Sequence, residues 1–230
     1  MKNIQAIIKI VESYYNERAD YYIQNVTGVN INPNQIKKFY KDRLEHCLRM
    51  LRVMENIMFT YPNYYSYEKY QAILVAIILH DIEKCPKQFI TGEDRHAEEG
   101  ATKAGIILEN MFDDDIIEEI CSTIETHSNK HLSKDDIEKC NMRYILVCLD
   151  IADKVGPNTI YLNVAKNPLI TYDDLFANMK DLYMRVNSIV NESIGMEHNP
   201  IRAAIVQLLK TRNSQLLDSL TSFQLAIKTY

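Results

Sequence analysis

The 230-residue chain predicts an all-α fold, and three observations carry that reading. Glycine and proline are scarce, with 6 of each, too few turn-formers for the many connections of a sandwich or barrel. Apolar residues recur at intervals of three and four along most of the chain, which is the period of a helix face. No stretch makes a convincing strand. Hydrophobic residues are 47% and charged residues 25% of the chain, a globular balance rather than a disordered one. The length suits one good-sized domain spanning 1–230.

The elements follow in order. A first helix over about residues 3–27 carries Ile4, Ile7, Ile8, Val11, Tyr14, Tyr15 and Tyr22 at helical intervals, and Thr27 to Pro33 breaks it. A second, about 34–61, has Leu44, Cys47, Leu48, Leu51 and Met58 as its stripe and stops at Pro62. The third, about 66–84, holds the apolar run Ala72 to Leu79; being hydrophobic on every side, it belongs at the centre of the bundle. Helices over about 94–112 and 114–128 come next, the latter opened by Asp113, Asp114 and Asp115 at the positive end of its dipole. Ser133 to Asp136 resembles a capping box. Asn141 to Val155 is an apolar helix closed by Gly156 and Pro157, Thr171 opens a helix to about Ile194, and Asn199-Pro200 opens the last stretch, with a polar break near Arg212 to Ser214.

Charge and cysteine usage narrow the class. There are 26 Lys+Arg against 31 Asp+Glu, a net charge of −5, so extended nucleic-acid binding is not expected. The 5 cysteines form an odd set without a CxxC pair, which suits reduced thiols in a cytoplasmic protein. The longest apolar run is too short to span a bilayer, and no membrane association or signal peptide is expected.

The polar residues on the apolar helices point to chemistry. His80-Asp81 ends the most apolar helix, where an imidazole and a carboxylate need partners, and a metal ion is an effective one. The alternative is a core histidine bonded to a backbone carbonyl. His46 shares a face with Met50, Val53 and Ile57, again pointing inward, and Asp150 and Asp153 lie one turn apart on the helix Tyr144–Val155. Bundles build metal sites from such groups on facing helices.

The order His46, His80-Asp81, Asp153, with the strings Arg43-Leu-Glu-His46, Ile78-Leu-His-Asp-Ile-Glu-Lys84 and Ile151-Ala-Asp-Lys-Val155, resembles the HD-domain superfamily of metal-dependent phosphohydrolases over roughly residues 40–157. Residues 158–230 then form a C-terminal helical extension. The resemblance selects Asp153 over Asp150. His96 in Arg95-His-Ala-Glu-Glu-Gly100 and His127 after Thr126 are similar to the histidines of members with a second metal. The resemblance implies His46, His80, Asp81 and Asp153 on one ion, and bridging Asp81 with His96 and His127 on another. His131, which follows a polar stretch, is read as solvated. Two departures stand out: many relatives carry Gly where this chain has Glu83, and no Gly-Tyr-Pro segment follows His127, which speaks against the cyclic-di-GMP-cleaving branch. The stretch Ala152 to Pro157 is similar to the symmetrical dinucleoside-tetraphosphate hydrolase branch.

The resemblance implies one or two divalent transition-metal ions (Fe, Mn, Zn, Co or Ni) and a small phosphorylated substrate such as a nucleotide, cut by metal-activated water. Asp81 is the catalytic carboxylate. Lys84 is a candidate for a phosphate oxygen or the leaving group, the alternative being a helix-end cation that favours the dipole. Arg43, beside His46, is a candidate for substrate binding, while Glu83 is expected to face solvent. A different class of function is a catalytically silent HD-type module that binds a nucleotide or a protein and keeps a structural or vestigial metal site. The N-terminal helix is expected to cover the core or to mediate homodimer contacts.

Overall fold

The computed structural model describes residues 2–25, 32–90, 92–156, 159–166, 169–196 and 198–228. Among the described residues there are ten α-helices, one short 3-10 turn and no strand, so the chain is all-α. It divides into two compact units, Met1–Lys130 and His131–Tyr230; the boundary falls inside the stretch 40–157.

The first unit holds α1 (Lys2–Asn25), α2 (Pro33–Thr60), α3 (Tyr67–Leu79), α4 (His96–Leu108) and α5 (Asp114–Thr126). Asn32 caps α2, its side chain accepting from Asn34 N at 3.0 Å, with Pro33 in the first turn. Ser66 caps α3 through Lys69 N. Every α3 residue from Gln71 to Leu79 is buried, and the helix packs against α1, α2 and α5. A helix apolar on all sides satisfies burial only at such a centre. α3 ends at Leu79 rather than near residue 84. The chain turns there, with Ile82 N donating to Leu79 O at 3.0 Å and Lys84 N to Asp81 O at 2.9 Å; Pro86 bars the preceding residue from helical backbone. A 3-10 turn over Lys87–Phe89 leads on toward α4, which packs along α5.

The second unit holds α6 (Lys134–Lys139), α7 (Met142–Lys154), α8 (Thr159–Lys166), α9 (Tyr172–Glu192) and α10 (Pro200–Lys228). The capping box is present: Asp136 N donates to Ser133 Oγ at 3.1 Å, and Ser133 N to Asp136 Oδ2 at 2.8 Å. α6 ends at Cys140, a non-glycine residue in the left-handed region with φ 48°. Asn141 then caps α7, accepting from Tyr144 N at 2.9 Å. α7 packs against α6 and α10, and α9 against α8 and α10. The guanidinium of Arg202, 1% exposed, donates to Ile137 O at 2.6 Å, Glu138 O at 3.0 Å and Met196 O at 2.9 Å, so a buried cation adds donors to carbonyls at the C-terminal end of α6.

Two expectations need correction here. The polar break near Arg212 to Ser214 does not occur, and α10 runs through it. Buried Asn213 finds a tertiary partner instead, its amide donating to Asn187 Oδ1 of α9 at 2.9 Å. The short helix α8 had no counterpart in the sequence pattern. The breaks expected at Thr27 and Pro157 fall on residues outside those described. No helix among the described residues is long and apolar enough to cross a membrane.

Candidate metal centre

Four histidines and one aspartate of the first unit converge. His46 comes from the middle of α2, His80 caps α3, Asp81 sits in the turn after it, His96 starts α4 and His127 caps α5. They form two triads, His46, His80 and Asp81, and Asp81, His96 and His127; within each, one ligand atom per residue lies within 4.8 Å of the others. His46, His80, Asp81 and His127 are at most 4% exposed. Helix ends supply three of the four imidazoles, because a helix end can aim a ring at a neighbouring helix without passing through it.

Asp81 belongs to both triads, and its two oxygens face different partners. Oδ1 lies 3.5 Å from His96 Nε2 and 3.6 Å from His127 Nε2. Oδ2 lies 3.7 Å from His80 Nε2 and 3.1 Å from a guanidinium nitrogen of Arg43. A carboxylate so divided faces both triads at once.

The tautomers of two rings follow from their partners. His80 Nδ1 lies 2.9 Å from Ile77 O and His127 Nδ1 2.6 Å from Ile124 O. A carbonyl only accepts, so each Nδ1 carries the proton and each Nε2 presents its lone pair toward Asp81. His96 Nδ1 lies between an acceptor, Asp94 Oδ1 at 2.8 Å, and a donor, Lys84 Nζ at 3.0 Å, so either tautomer finds a partner there. Burial, followed by the Lys84 charge, lowers the His96 pKa below its ordinary value, which favours the neutral ring that a ligand must be.

These residues fit a metal on the chemistry of the donors. Neutral imidazole nitrogens with a carboxylate suit Fe, Mn, Zn, Co or Ni better than Ca, and the buried carboxylate and the outer-sphere carbonyls complete the pattern of a tuned site.

Lys84 leaves the turn and places Nζ 2.6 Å from Asp94 Oδ2 and 3.0 Å from His96 Nδ1. Burial would raise the Asp94 pKa, but hydrogen bonds from Lys84 and His96 prevail and push it down to about 2. Arg43 is mostly buried, 15% exposed at its side chain; beside the Phe39 ring, it neutralises Asp81. Arg49 is exposed. Glu83 does not face solvent as expected. Its carboxylate is 11% exposed and receives Arg18 and the Tyr14 hydroxyl, both from α1, because a long charged partner on a packed helix makes burial affordable. His131 is exposed beyond the end of α5.

Asp153 stands on α7 in the second unit, half-buried. Buried Asp150, one turn before it, is paired with Lys154 at 2.6 Å. Two site-related groups escaped the sequence reading. Asp94 has the look of a helix-start carboxylate, and only its spacing of two from His96 signals more. Tyr15 merges into the apolar stripe of α1, although its hydroxyl donates to Asp81 O at 3.0 Å.

Against known families, residues 43–158 match the family model described as HD domain, which is half of the 230 residues. The chain belongs to the HD-domain family, a superfamily of metal-dependent phosphohydrolases. No curated protein and no solved structure matches it significantly.

Proposed function

We propose that the chain hydrolyses a nucleotide or another small phosphate ester by metal-activated water. The observation that carries this reading is the divided carboxylate of Asp81, each oxygen turned toward a different set of imidazoles. A pair of divalent ions held there supplies an acidified water and neutralises phosphoryl oxygens. The chain's own residues do the rest. Asp81 spaces the two triads, Ile77 O and Ile124 O hold two rings in the ligating tautomer, and Asp94 lies against the third. Lys84, 26% exposed at its side chain, is the cation to meet a phosphate oxygen or the leaving group, with Arg43 deeper in. Asp153 is the further ligand that the family resemblance implies.

The test is element analysis after purification without chelator, then a panel of phosphomonoesters, phosphodiesters and dinucleoside polyphosphates. Bound metal with turnover is expected, and Asp81→Ala should abolish both while leaving helicity largely intact. Asp153→Ala should lose metal where Asp150→Ala retains it. Stoichiometric metal without turnover on any phosphate compound would favour the silent binding module. Metal-dependent turnover surviving in Asp81→Ala would defeat the assignment.

A further inference from the structure

The turn that carries Asp81 is gripped from outside the matched family stretch. α1 ends at Asn25, well before residue 43, yet three consecutive features of it reach residues 81–83. Tyr15, 2% exposed, donates its hydroxyl to Asp81 O at 3.0 Å. That carbonyl also accepts from Lys84 N at 2.9 Å, so it is the corner of the turn and both its acceptor sites are used. Tyr14 donates its hydroxyl to one Glu83 oxygen, and Arg18 pairs with the other.

The gripping residues are themselves held. Arg18 reaches the hydroxyls of Tyr14 at 3.1 Å, Tyr22 at 3.1 Å and Tyr40 at 3.4 Å. The Tyr15 and Tyr40 rings lie 5.4 Å apart, which ties α1 to α2, and Lys103 of α4 stands 4.4 Å over the Tyr14 ring. A carboxylate meant to serve two triads must be held closely, since loss of a supporting contact commonly costs 10–100-fold in metal affinity.

Resting on the metal centre proposed above, we infer that Tyr15 and the Arg18–Glu83 pair are positioning residues: α1 clamps the His80–Lys84 turn and sets how tightly Asp81 binds metal. Tyr15 touches the backbone of Asp81, not its ligating atoms, and Arg18 acts through Glu83.

Titration of the metal-free full-length protein with Co(II), followed by visible absorption, tests the clamp. Tyr15→Phe removes only a hydroxyl and keeps the ring. It is expected to weaken Co(II) binding about tenfold and to change the shape of the cobalt bands, with far-ultraviolet circular dichroism unchanged. Arg18→Met supplies an opposing sign. Removing a nearby positive charge would by electrostatics alone tighten cation binding, whereas the clamp requires that it weaken. Wild-type affinity and spectrum in Tyr15→Phe, or tighter binding in Arg18→Met, would overturn the clamp while leaving the metal centre standing. A lower melting temperature with unaltered cobalt spectrum and affinity would show a merely structural role and overturn it equally. A wild-type protein that takes up no Co(II) overturns the metal centre, and the clamp with it.

Discussion

At the scale of single residues, the centre depends on groups that never touch a metal. Asp94 lies 2.8 Å from His96 Nδ1 and pairs with Lys84 at 2.6 Å, so one carboxylate backs a candidate ligand and restrains a neighbouring cation. Asp94→Asn keeps the size but weakens the acceptor. Metal affinity is expected to fall roughly tenfold or more, read by calorimetric titration with Mn(II) or Co(II), with the loss confined to one ion per chain. The convergence of His46, His80, Asp81, His96 and His127 was legible in the sequence because they combine family order with attachment to apolar helices. Glu83 and Tyr15 were not. A carboxylate in a sequence signals water until a partner such as Arg18 is known, and a tyrosine at helical spacing signals packing, since its hydroxyl contributes nothing to periodicity.

At the scale of elements, the α6–α7 junction turns on Asp136. It accepts from Ser133 N and Ser133 Oγ, each at 2.8 Å, from the Asn141 amide at 2.8 Å and from Arg143. Burial alone would raise its pKa; the hydrogen bonds of Asn141 and Ser133, with the Arg143 charge, outweigh that and lower it. A carboxyl whose folded-state pKa is depressed stabilises the fold above its ordinary value of about 3.9, and that contribution is lost as pH falls through the folded-state value. Asp136→Asn should therefore lose about 1–3 kcal/mol at neutral pH, and its gap to wild type should narrow below about pH 4. Urea unfolding at both pH values measures this. The same junction shows what the sequence conveys well. Capping residues such as Ser133 and Asn141 act locally, so their spacing betrays them, whereas the buried polar Asn213 within α10 finds its partner Asn187 on another helix, a contact no local pattern encodes.

At the scale of the whole molecule, metal and folding are linked. A centre assembled from α2, α3, α4 and α5 exists only when those helices are packed, so ions that bind the folded chain must stabilise it. Melting temperature should rise with added Co(II) or Mn(II) and fall back with a chelator; an excess of a hundredfold over the dissociation constant corresponds to about 2.7 kcal/mol. Differential scanning calorimetry at several ion concentrations decides this.

Asp81 is the single carboxylate of both triads, their other members are imidazoles, and the proposed Asp153 ligand adds only one carboxylate more. Two divalent cations in such company would leave a local surplus of positive charge, set within a chain whose net charge is −5. That inversion makes the filled centre avid for compact anions, which low surrounding polarisability strengthens further. Orthophosphate should accordingly compete with a phosphate substrate for the metal-loaded protein, raising KM without lowering kcat, and its grip should vanish once the ions are stripped.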